Sequence, residues 1–449
     1  MLKRIILYLC LIVCAFSLKA QTMEWLCKPK YDNIKVLNSR LFMAVNGDKC
    51  GILNNSGKLI HEVKYDLVTP FQEDRALLLN IGASGEYEIA GLIDESGRMI
   101  RNFEGLGYRP SPDYPFYKEG KLVFISPPEG QGMYKYGYLD QDGNVQIPAK
   151  YTYAAPFNNG KAIVRIASTR EFSVINALGG TAVYIKQPLH FLSTIEDGSA
   201  IGWRHTYKGG ELLLLKLNGD TFATLKVLAE GLGELGFPNG DFSTVTFGSN
   251  TYRFDPTLRY LGTDSSQERK PVTIPEFPKG KSSKLTVIRD ESDCGLAYNE
   301  EIIVLPVYAD ITPLRNKIAA VRDFSGKVGL FRLNENSSVS FVDPVRTYEL
   351  RSGEQPELSW ELQLVGLEAD KVSVILMKED SEQEITLACC TDESGRTKIV
   401  LPFEFKSEEL NQEITEIFGA VVCVDDIPVY YESLCVSYIQ LSDISISAL

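Results

Sequence analysis

Histidine is scarce in this chain: His61, His190 and His205 are the three present in 449 residues. No H-E-x-x-H pair and no G-x-S-x-G elbow occurs, so a histidine-dependent metalloprotease or hydrolase has no parts to be built from. Of nine cysteines, the seven beyond the N-terminal leader are Cys27, Cys50, Cys294, Cys389, Cys390, Cys423 and Cys435. Their number is odd and their spacing fits no zinc pattern, so neither a thiolate-bound metal nor any other cofactor is expected. In an oxidising compartment one of the adjacent pair Cys389 and Cys390 could bridge to Cys423 or Cys435, and the sequence leaves that pairing open. Positive charge is missing from the last quarter, where residues 346–449 carry 7 Lys and Arg against 21 Asp and Glu. Phosphate binding needs clustered cations, so nucleic acid is excluded as a partner, and the acidic segment reads as a well-solvated surface.

Long apolar runs are also missing, except at the start. Lys3 and Arg4 precede an apolar stretch over residues 5–16, which ends in Leu18, Lys19, Ala20 and Gln21. This is the layout of a secretory signal peptide, too short to span a bilayer, with cleavage expected after Ala20. Val13 is larger than the residue lipoprotein leaders place before their cysteine, so plain export is expected over lipid anchoring at Cys14. The mature chain would hold 43 basic and 59 acidic side chains, a net of −16, nearly all of it after residue 345. It would lie in the periplasm or at the cell surface, with no transmembrane helix.

What the chain has in abundance is repetition. YDLVTPF at 65–71, YTYAAPF at 151–157 and YADITPL at 308–314 place Tyr first and Pro five residues on, and Ala76, Ala162 and Ala319 follow at one offset. A second signature is a glycine, two apolar residues, Asp or Asn, and a turn with glycine, as in CGILNNSG at 50–57, AGLIDESG at 90–97 and YGYLDQDG at 136–143. Fainter copies run over 172–179, 216–219, 294–300 and 328–334. Such units are short antiparallel strands joined by hairpins, and none can bury its own apolar face. Tyr65, Tyr151, Tyr308, Phe71 and Phe157 are therefore expected between neighbouring units, with Cys50 and Cys294 as small buried residues.

Residues 49–78 and 135–164 resemble WG repeats, with Cys50, Ala90, Tyr136, Cys294 and Val328 standing where the usual tryptophan precedes glycine. The resemblance implies a bacterial, often exported protein whose repeats form a binding or structural scaffold without shared catalytic residues. Spacings of 34 to 46 residues and roughly seven units between residues 25 and 345 suit an all-β array, β-propeller-like in preference to an open superhelical one.

Three stretches interrupt the pattern. Residues 105–132, rich in proline and aromatics, read as a projecting loop. Residues 201–210 place Trp203, His205 and Tyr207 on one face if extended. Residues 264–284 are rich in Pro, Ser and Lys. Insertions in repeat proteins collect on a binding face, so Trp203, His205 and Tyr207, with Tyr114 and Phe116, are the candidate ligand-binding residues. GLGELG at 231–236 is followed by a turn sequence where a dinucleotide site needs a helix. DQDGN at 140–144 lacks the glutamate that closes a calcium loop, so it reads as a hairpin turn.

After residue 345 the repeats cease. Seven short apolar runs in about a hundred residues suggest a β-sandwich of immunoglobulin-like type, with a short helix expected at 407–417. The organisation expected is a signal peptide at 1–20, a WG-like repeat domain at 21–345 and an acidic sandwich at 346–449. The function expected is a non-catalytic exported scaffold that binds a protein partner in the cell envelope. A carbohydrate-binding surface protein is the alternative, and behind it a carboxylate-based glycan-active enzyme, whose acid pair would be set by the fold.

Overall fold

The computed structural model describes residues 20–441, apart from 113, 129, 131, 186–187, 208, 219–220, 232–234, 237–243, 249, 256–257, 265–284, 291, 316, 352, 379–382 and 407–411. Residues 1–19 of the signal peptide expected at 1–20, nearly all of the 264–284 insertion and the core of GLGELG lie outside the described residues. The described chain is all-β, with one 3-10 turn at Ala369–Lys371.

The repeats form a propeller-like series of four-stranded antiparallel sheets. In the first, Asn33–Val36, Leu41–Asn46, Lys49–Asn54 and Leu59–Tyr65 lie side by side in chain order. The second to sixth repeat this order, and the third and fourth share the long strand Val145–Ala154. The seventh has three described strands, Leu285–Asp290, Asp293–Tyr298 and Glu301–Tyr308. The eighth consists of Asp310–Pro313, Ile318–Arg322, Val328–Phe341 and, as its fourth strand, Ala20–Tyr31 from the start of the chain. Among the described residues there are thus eight repeat sheets where roughly seven units were expected, and the N-terminal strand completes the last of them.

Burial explains the sequence texture. Second and third strands such as Leu122–Ser126 and Lys135–Leu139 are buried along most of their length, because neighbouring sheets cover both faces: Leu122, Phe124 and Leu139 pack with the second sheet, Val123 and Tyr138 with the fourth. The core is a succession of inter-sheet clusters. Tyr65, Val68 and Ala76 join Leu37, Leu41 and Ile52 between the first two sheets, and Tyr151, Phe157 and Ala162 join Val123 and Tyr138 between the third and fourth. Tyr65, Tyr151 and Tyr308 are all buried, so the repeated tyrosines hold sheet to sheet as expected. Cys50 and Cys294 are buried too, and burial pushes the Cys50 thiol up to about 11.

The motif glycine has a steric cause. A Cβ on Gly51 would stand 2.6 Å from the carbonyl oxygen of His61, because the fourth strand is bulged and its backbone crosses directly over the third. Gly137 lies under Ile147 in the same way, and Gly295 under Val304. Only glycine leaves room for that crossing.

The chain divides into two compact units, Lys35–Asn54 with Leu59–Pro278, and Met1–Ile34 with Asn55–Lys58 and Lys279–Leu449. In the second of these, strand Val328–Phe341 pairs with Ile318–Arg322 early and with Leu358–Val365 late, so one strand serves both the eighth sheet and the sandwich. One sandwich sheet has the order Val328–Phe341, Leu358–Val365, Thr397–Leu401, Cys390–Thr391. The other has Val345–Leu350, Ile427–Gln440, Glu413–Val424, Val372–Lys378, Glu384–Ala388. Lettered in chain order, these are A-B-E-D and A′-G-F-C-C′, with A′ parallel to G, an immunoglobulin-like arrangement. The helix expected at 407–417 is absent from its described part: residues 413–417 begin strand F, where Ile414 meets Tyr438 and Phe418 meets Leu434. All seven described cysteines are free thiols, and Cys423 packs with Leu305 and Val421.

Candidate functional site

Within each sheet, the turn joining the first and second strands lies at one end, and the hairpin joining the second and third lies at the other. The two ends differ in chemistry. At the first-to-second turns, residue pairs such as Glu119 (φ 51°) with Gly120 (φ 72°) and Asn159 (φ 52°) with Gly160 (φ 71°) have positive φ, the signature of tight type I′ turns. Carboxylates chain these turns together. Glu73 accepts the backbone N–H groups of Glu119 and Gly120, Glu119 accepts those of Asn159 and Gly160, and Glu196 takes Asn158 and Lys118. This end is committed to holding repeats in step.

Exposed aromatic side chains gather at the opposite end, whereas the clamped end exposes the aliphatic Leu59, Val145 and Leu178. Ile81, Tyr87, Leu106, Met133, Tyr134, Tyr184 and Tyr207 are all exposed at second-to-third hairpins or at the junctions leading to the next sheet, with Tyr207 94% exposed and Met133 70%. Arg109 fastens part of this surface, its guanidinium lying 4.1 Å over the Tyr134 ring and paired with Glu86 and Ser84.

Trp203, His205 and Tyr207 fall here, at the end of strand Ser199–Thr206, which is extended. The Trp203 and His205 rings are 4.3 Å apart, and His190 joins them, 4.7 Å from His205 and 5.7 Å from Trp203. The backbone N–H of His205 donates to His190 Nδ1 at 3.3 Å, and the N–H of His190 donates to the carbonyl of Trp203 at 2.8 Å. Burial holds the His190 imidazole below its ordinary pKa, with His205 and Arg165 adding to the effect. Arg204 pairs with Glu211 at 2.6 Å. Trp203 is also a packing residue: its indole abuts the cluster of Leu212, Leu214 and Phe247, and a Cβ on Gly210 would stand 2.7 Å from its Nε1.

Tyr114 and Phe116 lie elsewhere. Their rings are 6.5 Å apart in the connection between Arg109–Pro110 and Leu122–Ser126, at the end of the clamped turns. The five candidates therefore form two groups at opposite ends of the repeats. Nor is the 105–132 stretch wholly a projecting loop: Tyr117, Leu122, Val123 and Phe124 are buried, and Tyr117 donates its hydroxyl to the carbonyl of Asp140. DQDGN is a hairpin turn in which Asp140 accepts the N–H groups of Asp142 and Asn144.

His190 was missed by sequence reasoning, although a signal existed. Ser193 Oγ accepts the N–H of Ile201 eight residues on, as Thr69 Oγ1 accepts that of Leu77. Residues 189–200 are thus a diverged copy of the opening phrase, with His190 in the place of Asp66.

Residues 51–78 and 136–168 match the model of the WG containing repeat. The matched segments are the first-to-second and third-to-fourth sheet junctions. Comparison with curated proteins gives no match. Among solved structures, the extracellular domain of a hybrid two-component system from B. thetaiotaomicron is 9% identical over 96% of this chain, with a TM-score of 0.26. This chain spans 60% of its length. A protein of Listeria monocytogenes EGD-e is 12% identical over 64% of this chain and 92% of its own, with a TM-score of 0.31. PorZ, a surface component of the type-IX secretion system of Porphyromonas gingivalis, is 11% identical over 93% of this chain and 71% of its own, with a TM-score of 0.20. Likenesses this distant leave the functional argument with the WG-like repeats and their exposed end.

Proposed function

We propose that this protein is a non-catalytic, exported WG-repeat scaffold that binds a protein partner in the cell envelope. The supporting observation is the asymmetry of the repeats: one end is spent on carboxylate clamps, and the other exposes Tyr87, Met133, Tyr134, Tyr184 and Tyr207. Exposed tyrosine and methionine beside arginine are the composition of protein-binding surfaces. Export rests on the leader at residues 1–20. No described helix is long and apolar enough to cross a membrane.

Capture from an envelope fraction tests the reading, with the mature chain as bait beside a variant carrying Met133→Ser, Tyr184→Ser and Tyr207→Ser. A protein retained by the former and lost by the latter is expected. Equal retention by both would remove this surface from the account. Carbohydrate binding remains the second reading, favoured by the one-sided row of Trp203, His205 and Tyr207, and neutral and acidic oligosaccharides test it in the same assay.

A further inference from the structure

We propose that the fold sets the order of two events at the start of the chain. The bond between Ala20 and Gln21 is hydrolysed while the strand Ala20–Tyr31 is still free, and docking of that strand into the eighth sheet then closes the site to the peptidase. This inference deepens the export reading above and rests on residues 1–20 being a leader.

Three observations carry it. The residues on both sides of the bond are ladder residues in the folded chain, Ala20 opposite Val339 and Gln21 opposite Ser338. A peptidase wraps its cleft around an extended substrate, and the partner strand Val328–Phe341 already occupies one edge of this one. The two residues that follow are anchored. Thr22 is 1% exposed and Met23 0%, and the Thr22 and Ser337 hydroxyls share a hydrogen bond. Freeing the bond in the folded chain therefore means lifting Met23 out of the core it shares with Phe331 and Val339, a local unfolding step. The third observation is distance along the chain, since Ser337 lies 315 residues beyond Thr22. A chain exported N-terminus first presents its leader junction well before Val328–Phe341 follows, so the strand has no partner while the peptidase acts. Hydrolysis adds one water across the amide, leaves a carboxylate on Ala20 and frees the amine of Gln21. The mature strand keeps its pairings from Gln21 onward.

The test uses the full precursor and a bacterial signal peptidase in detergent micelles, with the peptidase added either at the moment of dilution from denaturant or after refolding. Hydrogen exchange at Val328–Phe341 reports closure of the eighth sheet, and intact mass reports the cut. Prompt cleavage after Ala20 is expected in the first case, and cleavage slower by roughly tenfold or more in the second, because only the opened fraction is a substrate. Gly329→Ala crowds the Cys27 carbonyl and leaves the leader junction unchanged, so the refolded variant should be cut faster than the refolded wild type. Equal rates before and after refolding overturn the order and leave the leader reading standing. Resistance of both forms removes the leader reading and this inference with it. A Gly329→Ala precursor that refolds and is cut no faster traces the protection to something other than the docked strand, and overturns the inference. Should that variant not refold, the wild-type comparison decides.

Discussion

The first and eighth sheets meet one packing requirement with strands from very different places in the chain. In the first, the fourth strand follows the third directly through the turn at 55–58. In the eighth it is Ala20–Tyr31, from the opposite end of the chain. The details nevertheless coincide. A Cβ on Gly329 would stand 2.6 Å from the carbonyl oxygen of Cys27, as one on Gly51 would from that of His61. Lys327 pairs with Asp32 at 2.7 Å, as Lys49 pairs with Asp66 at 2.7 Å. The Lys30 ammonium lies 5.2 Å over the Tyr31 ring, and that of Lys64 5.3 Å over Tyr65. What the motif specifies is a crossing of two backbones in space, and the chain supplies the second backbone from wherever it can.

Removing one strand breaks the comparison most severely. Deletion of residues 21–32 takes Met23, Cys27 and Tyr31 out of the core and strips a ladder partner from Val328–Phe341, which the sandwich also uses. Loss of cooperative folding is expected in the eighth sheet and the sandwich, while amides of the second to sixth sheets keep their protection in hydrogen exchange. Adding a peptide of residues 21–34 should restore part of the lost protection. Full protection without either strand or peptide would show that the strand is decorative.

Alanine at the glycines sharpens the comparison. Gly51→Ala and Gly329→Ala each force a methyl group into a carbonyl oxygen, at an expected cost of about 2–3 kcal/mol. The two costs should agree although their covering strands differ in origin, and denaturant unfolding followed by exchange in each unit reads them separately. A cost at Gly51 alone would mean that the N-terminal strand yields where the hairpin strand does not.

Much of this was legible before any coordinates. Tyr, Pro and Ala recur because side chains packed between sheets leave a periodic record, and so they pointed to architecture and away from function. The N-terminal strand escaped notice for a specific reason: Lys30, Tyr31 and Asp32 copy Lys64, Tyr65 and Asp66, but no glycine motif precedes them in sequence, since theirs lies at Gly329. The D-x-x-G turn was less diagnostic than it looked. Residues 94–98 and 392–396 share the sequence DESGR and the same hydrogen bonds from residues two and four positions on, yet one lies in a repeat and the other in the sandwich. That turn is a local solution any hairpin can adopt. The candidate cluster was half legible, because alternation along one strand is written in sequence and the approach of His190 from a neighbouring connection is not.

A smaller effect is expected where the repeats touch through their turns. Glu119→Gln keeps the shape but removes the charge that two backbone N–H groups face, and about 1 kcal/mol of stability should go with it. Glu73→Gln should behave alike, since it grips the turn at 119–120 in the same geometry. The double variant tests whether the clamps act in series: a loss clearly larger than the sum would show that each turn holds the next in place.

The smallest effect concerns the ion pair that the first and eighth sheets share. The Lys49 ammonium, with the N–H of Ile81, holds the Asp66 carboxyl below its usual range. A depressed folded-state pKa means that the contribution is present above the unfolded value near 3.9 and is lost as pH falls through the folded one. Because Lys49 is about half exposed, the expected size is only about 0.5 kcal/mol. Asp66→Asn should therefore lower stability slightly at pH 7 and leave it unchanged once acid has protonated the folded carboxyl, with the two unfolding curves converging as acid is added. Parallel curves across that range would show that Asp66 acts through its hydrogen bond to Ile81 and not through its charge.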